Sequence, residues 1–99
     1  MNIRIPNTSL NVPVLMRRLG YAFQKKESAE EMAFIRPLAR SGFPRFHIYT
    51  KITTQETLLN IHLDQHKETY GRQTAHHGEY EDDGALKEEI ARIRSLLSS

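Results

Sequence analysis

The chain reads as an α+β domain: an antiparallel three-stranded meander with an N-terminal strand and helix and a C-terminal helix, the helices packed on one sheet face. Three observations predict this. Phe46, Ile48, Thr50 and Ile52 alternate with Arg45, His47, Tyr49 and Lys51, which is the period of a half-buried strand. Leu59, Ile61 and Leu63 repeat the alternation after a short polar stretch, as the second limb of a hairpin does. Near both ends the apolar spacing becomes helical, at Val12, Leu15, Met16 and Leu19 and again at Leu86, Ile90, Ile93 and Leu97. Ninety-nine residues suit a single domain, 1–99, with no room for a second core.

Taken in order, Ile3 and Ile5 alternate with Asn2 and Arg4, so residues 1–5 form a short strand ended by Pro6. A helix follows from Asn11 to Leu19. Asn11 is its cap, Pro13 suits its first turn, and Gly20 stops it. Residues 21–30 are mixed and polar, a surface connection or an edge strand. Residues 31–39 are apolar at both parities, and Pro37 marks an edge strand or an early end. A short helix from Ser28, with Glu31 at its third position, is the alternative there. Arg40 to Pro44 is a turn.

Strands over 45–53 and 58–66 then make a hairpin. A four-residue loop would set Tyr49 opposite His62, His47 opposite Asp64 and Arg45 opposite His66. A two-residue loop would set His47 opposite His62 and Arg45 opposite Asp64. Thr54-Gln55 disfavours the tight turn, since neither residue adopts positive φ easily, so the four-residue loop is expected. Residues 67–84 carry no periodic pattern; loops of that length are commonly functional. The last helix starts at Asp82 or Asp83, and Glu88 and Arg92 in it are spaced for an i,i+4 ion pair.

Composition limits the classes of function. There is no cysteine, which excludes disulfides and thiolate metal sites and fits a cytoplasmic protein. No signal-peptide pattern is present, and no apolar run approaches the roughly 18 residues of a membrane span. Net charge is +2, but residues 1–51 hold nine Lys or Arg against three acids while residues 52–99 hold five against nine. A basic face for phosphate is one reading of that asymmetry; mutual neutralisation of the two halves on folding is the plainer one.

Chemistry concentrates late in the chain. Four of the five histidines lie between His62 and His77, with Asp64 among them. Alternation puts Arg45, His47, Tyr49, His62 and Asp64 on one wet sheet face, the expected ligand-binding set. H-L-D-Q at 62–65, Tyr70 and A-H-H-G-E-Y at 75–80, with P-R-F-H-I-Y at 44–49 and the terminal E-E-I-A-R-I helix, resemble a pattern in a group of small uncharacterised bacterial proteins. In that pattern the position of His66 is also Lys and that of His77 also Ser, and the group has no established activity to carry over.

Three functional classes follow. The expected one is a ligand-binding or regulatory module that uses this face for a phosphate-bearing ligand or nucleic acid, with Tyr49 for stacking and Arg45 for phosphate. The alternative is a small hydrolase. It would be either metal-dependent, with His47, His62, Asp64, His66 and His76 as ligands of a divalent transition metal, or a metal-free phosphodiesterase using paired histidines as acid and base. Strand residues two apart lie about 6.6–6.8 Å from one another, so three in a row converge poorly on one ion. The uneventful reading is a solvated sheet face with a cross-strand His–Asp pair. A homodimer is compatible with so small a core.

Overall fold

The computed structural model describes residues 1–6, 11–65 and 83–98. The elements are β1 (Asn2–Pro6), α1 (Val12–Arg18), β2 (Ala22–Lys26), β3 (Glu31–Pro37), β4 (Arg45–Ile52), β5 (Glu56–Asp64) and α2 (Asp83–Leu97). The expected loop over 67–84, with Tyr70, His76 and His77, falls almost entirely outside the described residues, as does His66.

The α+β class holds, but the sheet has five strands, not three. Its order is β1-β5-β4-β3-β2, and every neighbouring pair is antiparallel. Strands β2 to β5 form a meander, and β1 adds itself beside β5. A strand over 1–5 and an edge strand within 21–30 were each expected, but two features hid that both join this sheet. All five residues of β2 are exposed, so burial imposes no alternation on them. And β1 finds its partner more than fifty positions away, with Ile3 opposite Leu59. Strand β3 lies inside the sheet, between β2 and β4, rather than at an edge; Pro37 sits at its last position, where a missing N–H costs the ladder least. No helix starts at Ser28; residues 27–31 close the β2–β3 turn, with the Ser28 hydroxyl accepting from the Glu30 N–H.

The β4–β5 register is also corrected. Arg45 lies opposite Asp64, His47 opposite His62 and Ile52 opposite Thr57, the pairing of a two-residue loop. Thr53 explains why Thr54-Gln55 suffices. Its hydroxyl oxygen accepts from the N–H groups of Gln55 and Glu56, and its hydroxyl donates to the Glu56 carbonyl. That local bonding makes a tight turn without a residue suited to positive φ.

Both helices cover one face. Asn11 caps α1 by accepting from the Val14 N–H, and Gly20 ends it at φ +93°, a left-handed conformation that glycine adopts without steric cost. Val12, Met16 and Leu19 from α1 and Ile93 from α2 meet Ile3, Phe34, Phe46, Ile48, Leu59 and Ile61 of the sheet in one core. Full burial of an aliphatic side chain such as Ile48 or Leu59 contributes about 1.5–3 kcal/mol. Among the described residues, neither helix contributes to the opposite sheet face. Among the described residues no helix is long and apolar enough to cross a membrane.

The helix–sheet interface contains one buried ionic group. Glu89, 4% exposed, accepts four hydrogen bonds. The Tyr21 hydroxyl donates at 2.7 Å, Arg36 at 3.2 Å, and Arg92 with a two-pronged fork at 2.9 and 2.7 Å. Arg92 also donates to the Leu19 carbonyl at 2.6 Å, satisfying an acceptor at the end of α1. The partner of Arg92 is therefore Glu89, three residues back, and not Glu88. Burial alone would raise the Glu89 carboxyl; the bonds from Arg92 and Tyr21 and the charge of Arg36 outweigh it and hold the group below the usual carboxylate range. Burial, reinforced by the bond to Glu89, pushes the Tyr21 phenol far above its ordinary value. Tyr21 lies immediately before the edge strand β2, at the start of the stretch expected to be a surface connection or an edge strand.

Candidate functional site

The register arranges the sheet face opposite the helices in rows across the strands. Asp64 and Arg45 form one row, His62 and His47 the next, Asn60 and Tyr49 the third, and Leu58 and Lys51 the fourth. Strand β1 extends the last two rows with Asn2 beside Asn60 and Arg4 beside Leu58. Strand β3 extends the fourth on the other side with Glu31 beside Lys51.

Arg45, His47, Tyr49, His62 and Asp64 are thus brought together, and their contacts form a chain. The Asp64 carboxylate accepts from Arg45 Nε at 3.2 Å and faces His47 Nδ1 at 3.3 Å. An ionised carboxylate only accepts, so the proton between them sits on Nδ1. The His47 bond, with Arg45 adding to it against the opposing effect of burial, holds the Asp64 carboxyl below its ordinary range. Arg45 in turn lies over the Phe43 ring, 4.5 Å from its centroid. On the other side His47 stacks on Tyr49, with ring centroids 4.4 Å apart and planes 28° apart. His62 meets the same tyrosine edge-on at 5.8 Å. These are the offset and T-shaped geometries that aromatic quadrupoles favour.

Exposure separates the members of this chain. His47 is only 8% exposed, and its Nε2 is buried without a hydrogen-bond partner among the described residues. Tyr49 is 39% exposed. Beyond Tyr49, away from the histidine row, the sheet opens into a groove of about 470 Å³ lined by Asn2, Arg4, Tyr49, Lys51, Leu58 and Asn60, with Glu27 and Glu31 at its β3 end. That volume lies within the usual range for small-molecule pockets. Among the described residues, neither Arg4 nor Lys51 has an ion-pair partner, although Lys51 lies across from Glu31. Glu27 is paired with Lys25 at 2.9 Å, and among the described residues the Glu31 carboxylate accepts only a long 3.4 Å bond from the Ser28 hydroxyl.

Among the described residues no three His, Asp or Glu side chains form a group that could hold a metal ion. His47, His62 and Asp64 therefore do not make a centre by themselves, and His66 and His76 lie outside the described residues. The His47–Asp64 contact is a brace: one imidazole nitrogen is committed to the carboxylate, and the other is shut off from solvent.

Asn2, Arg4, Lys51 and Glu31 were not singled out from the sequence. Lys51 was legible in principle, two residues beyond Tyr49 on the same strand face. Asn2 and Arg4 alternate with Ile3 and Ile5, but nothing local says that their strand lies beside β5. No family model matches this chain, and no curated protein or solved structure matches it either.

Proposed function

We propose that this protein is a ligand-binding module that holds a small phosphate-bearing molecule with a flat ring in the groove of the open sheet face. The observation that carries the reading is the juxtaposition of two cations, Arg4 and Lys51, that have no ion-pair partner among the described residues, with a half-exposed Tyr49 held from behind by His47. Guanidinium and ammonium groups supply the donors that a phosphate needs. A tyrosine face gives a ring a stacking surface. A side chain fixed before the ligand arrives loses little conformational freedom on binding. In this arrangement Arg45, Asp64 and His47 position Tyr49 and do not touch the ligand.

The groove is the size of a small molecule rather than a long basic track, and the net charge is only +2, so a small ligand fits better than a nucleic-acid strand. Hydrolysis fits less well. A general base must reach the proton that it abstracts; in His47 one ring nitrogen faces the Asp64 carboxylate and the other is buried.

Calorimetric titration of the whole chain with pyrophosphate and with nucleoside monophosphates at graded salt tests the proposal. Saturable binding that weakens with salt and falls at least roughly ten-fold in Arg4→Ala and Lys51→Ala is expected, each substitution removing a charge-assisted contact. Absence of binding, or binding indifferent to both substitutions, would overturn it.

A further inference from the structure

The groove carries charged side chains at both ends and an apolar floor between them. Arg4 on β1 and Glu31 on β3 close opposite ends of one row, with Leu58 and Lys51 between them. Three strand spacings separate the ends, roughly 14 Å at the backbone, and both side chains line the space between. A ligand lying along this row meets cation, apolar floor, cation and carboxylate in that order. Tyr49 flanks the row from the neighbouring one.

We infer that the ligand is a guanine nucleotide, its phosphate at Arg4 and Lys51, its base against Tyr49, and its N1–H and N2 amino group directed at the Glu31 carboxylate. The inference rests on the phosphate-and-ring reading above and adds the identity of the base. An ionised carboxylate offers two acceptor oxygens side by side and no donor. Guanine is the nucleobase that presents two adjacent N–H donors on one edge. Adenine presents its amino group beside the unprotonated N1, whose lone pair a carboxylate repels. The Glu31 carboxylate has the capacity to accept: among the described residues its one bond, from the Ser28 hydroxyl, is long, and its cross-strand neighbour Lys51 forms no ion pair with it. Glu27, the other acid at that end, is already engaged by Lys25, which leaves Glu31 as the acceptor. The amides of Asn2 and Asn60 on the Tyr49 row lie nearer the phosphate end and are placed for the sugar.

The test compares GMP, IMP, AMP and pyrophosphate by calorimetry on the whole chain and on Glu31→Gln. GMP is expected to bind at least roughly ten-fold more tightly than AMP, the discrimination of one bidentate base contact at a partly solvated site. IMP, which keeps N1–H and lacks the amino group, should fall between them. In Glu31→Gln the preference should collapse while pyrophosphate affinity stays within about two-fold; an unchanged thermal melt would show that the variant is folded. Equal affinity for GMP and AMP, or a preference that survives Glu31→Gln, overturns the base assignment and leaves the phosphate site standing. Binding of pyrophosphate with no nucleotide bound does the same. If neither nucleotide nor pyrophosphate binds, the phosphate-and-ring reading falls with it.

Discussion

Asp64 and Glu89 are both carboxylates held by arginine and by a ring-bearing side chain, and they sit on opposite faces of one sheet. Glu89 is sealed between α2 and the strands. It has four hydrogen bonds, and its partners reach into α1, β3 and the start of β2. Asp64 keeps about a third of its side chain in water, and its contacts end in a chain that fixes Tyr49. The same functional group thus has two consequences. Where water is excluded, losing a partner leaves an uncompensated charge, and stability depends on the cluster. Where water remains, the ion pair itself is weak and its effect is to orient a neighbour.

The strongest way to break this contrast is at Glu89. Glu89→Ala leaves Arg36, Arg92 and the Tyr21 hydroxyl without their common acceptor. A loss of about 3–5 kcal/mol is expected, read as a shift in the midpoint of urea unfolding at neutral pH. A loss under about 1 kcal/mol would mean that the cluster is as dispensable as a surface pair.

Tyr21→Phe is the next step down. It removes one donor and keeps the ring, so about 1–2 kcal/mol is expected at neutral pH. It should also change the alkaline limb. The Tyr21 phenol is raised in the folded state, so its contribution is complete below the ordinary tyrosine value near 10 and is lost as pH rises above it. Thermal melts between pH 9 and 11 should show a steeper fall for the parent chain than for Tyr21→Phe.

Asp64→Asn sharpens the other side of the comparison. Its partial exposure limits the stability cost to under about 1 kcal/mol, while ligand affinity should fall several-fold because His47 and Tyr49 lose their anchor. Asp64 and Glu89 are both depressed in the folded chain. Each therefore stabilises above the ordinary carboxylate value near 4, and that stability is lost as pH falls through the folded-state value. An acid titration of stability should keep its main drop in Asp64→Asn and lose it in a Glu89 variant that still folds. The smallest effect on folding is expected at Lys51→Ala, within about 0.5 kcal/mol by chemical denaturation, although this change should weaken ligand binding at least roughly ten-fold.

Much of the fold was legible because burial imposes a period. The stripe of α1, the stripe of α2 and the alternation in β4 and β5 all reflect one face meeting the core, and each element lies where that pattern put it. The co-facial set Arg45, His47, Tyr49, His62 and Asp64 follows from the same parity. Strand β2 was ambiguous because none of its side chains is buried. The hairpin register departs from the expected one because the Thr53 hydroxyl supports a tight turn that backbone preference at Thr54-Gln55 disfavours.

By itself, then, the sequence determined which residues face inward along each element, since periodicity is a local record of burial. Only the tertiary structure decided which elements are neighbours. That decision placed Asn2 and Arg4 beside Asn60 and Leu58, opened the groove next to Tyr49, and brought Tyr21 and Arg36 onto Glu89. Contacts between positions 50 to 70 residues apart leave no periodic trace in either partner. They arise from the global arrangement that best buries all the stripes together, and the groove and the ionic cluster are products of that arrangement.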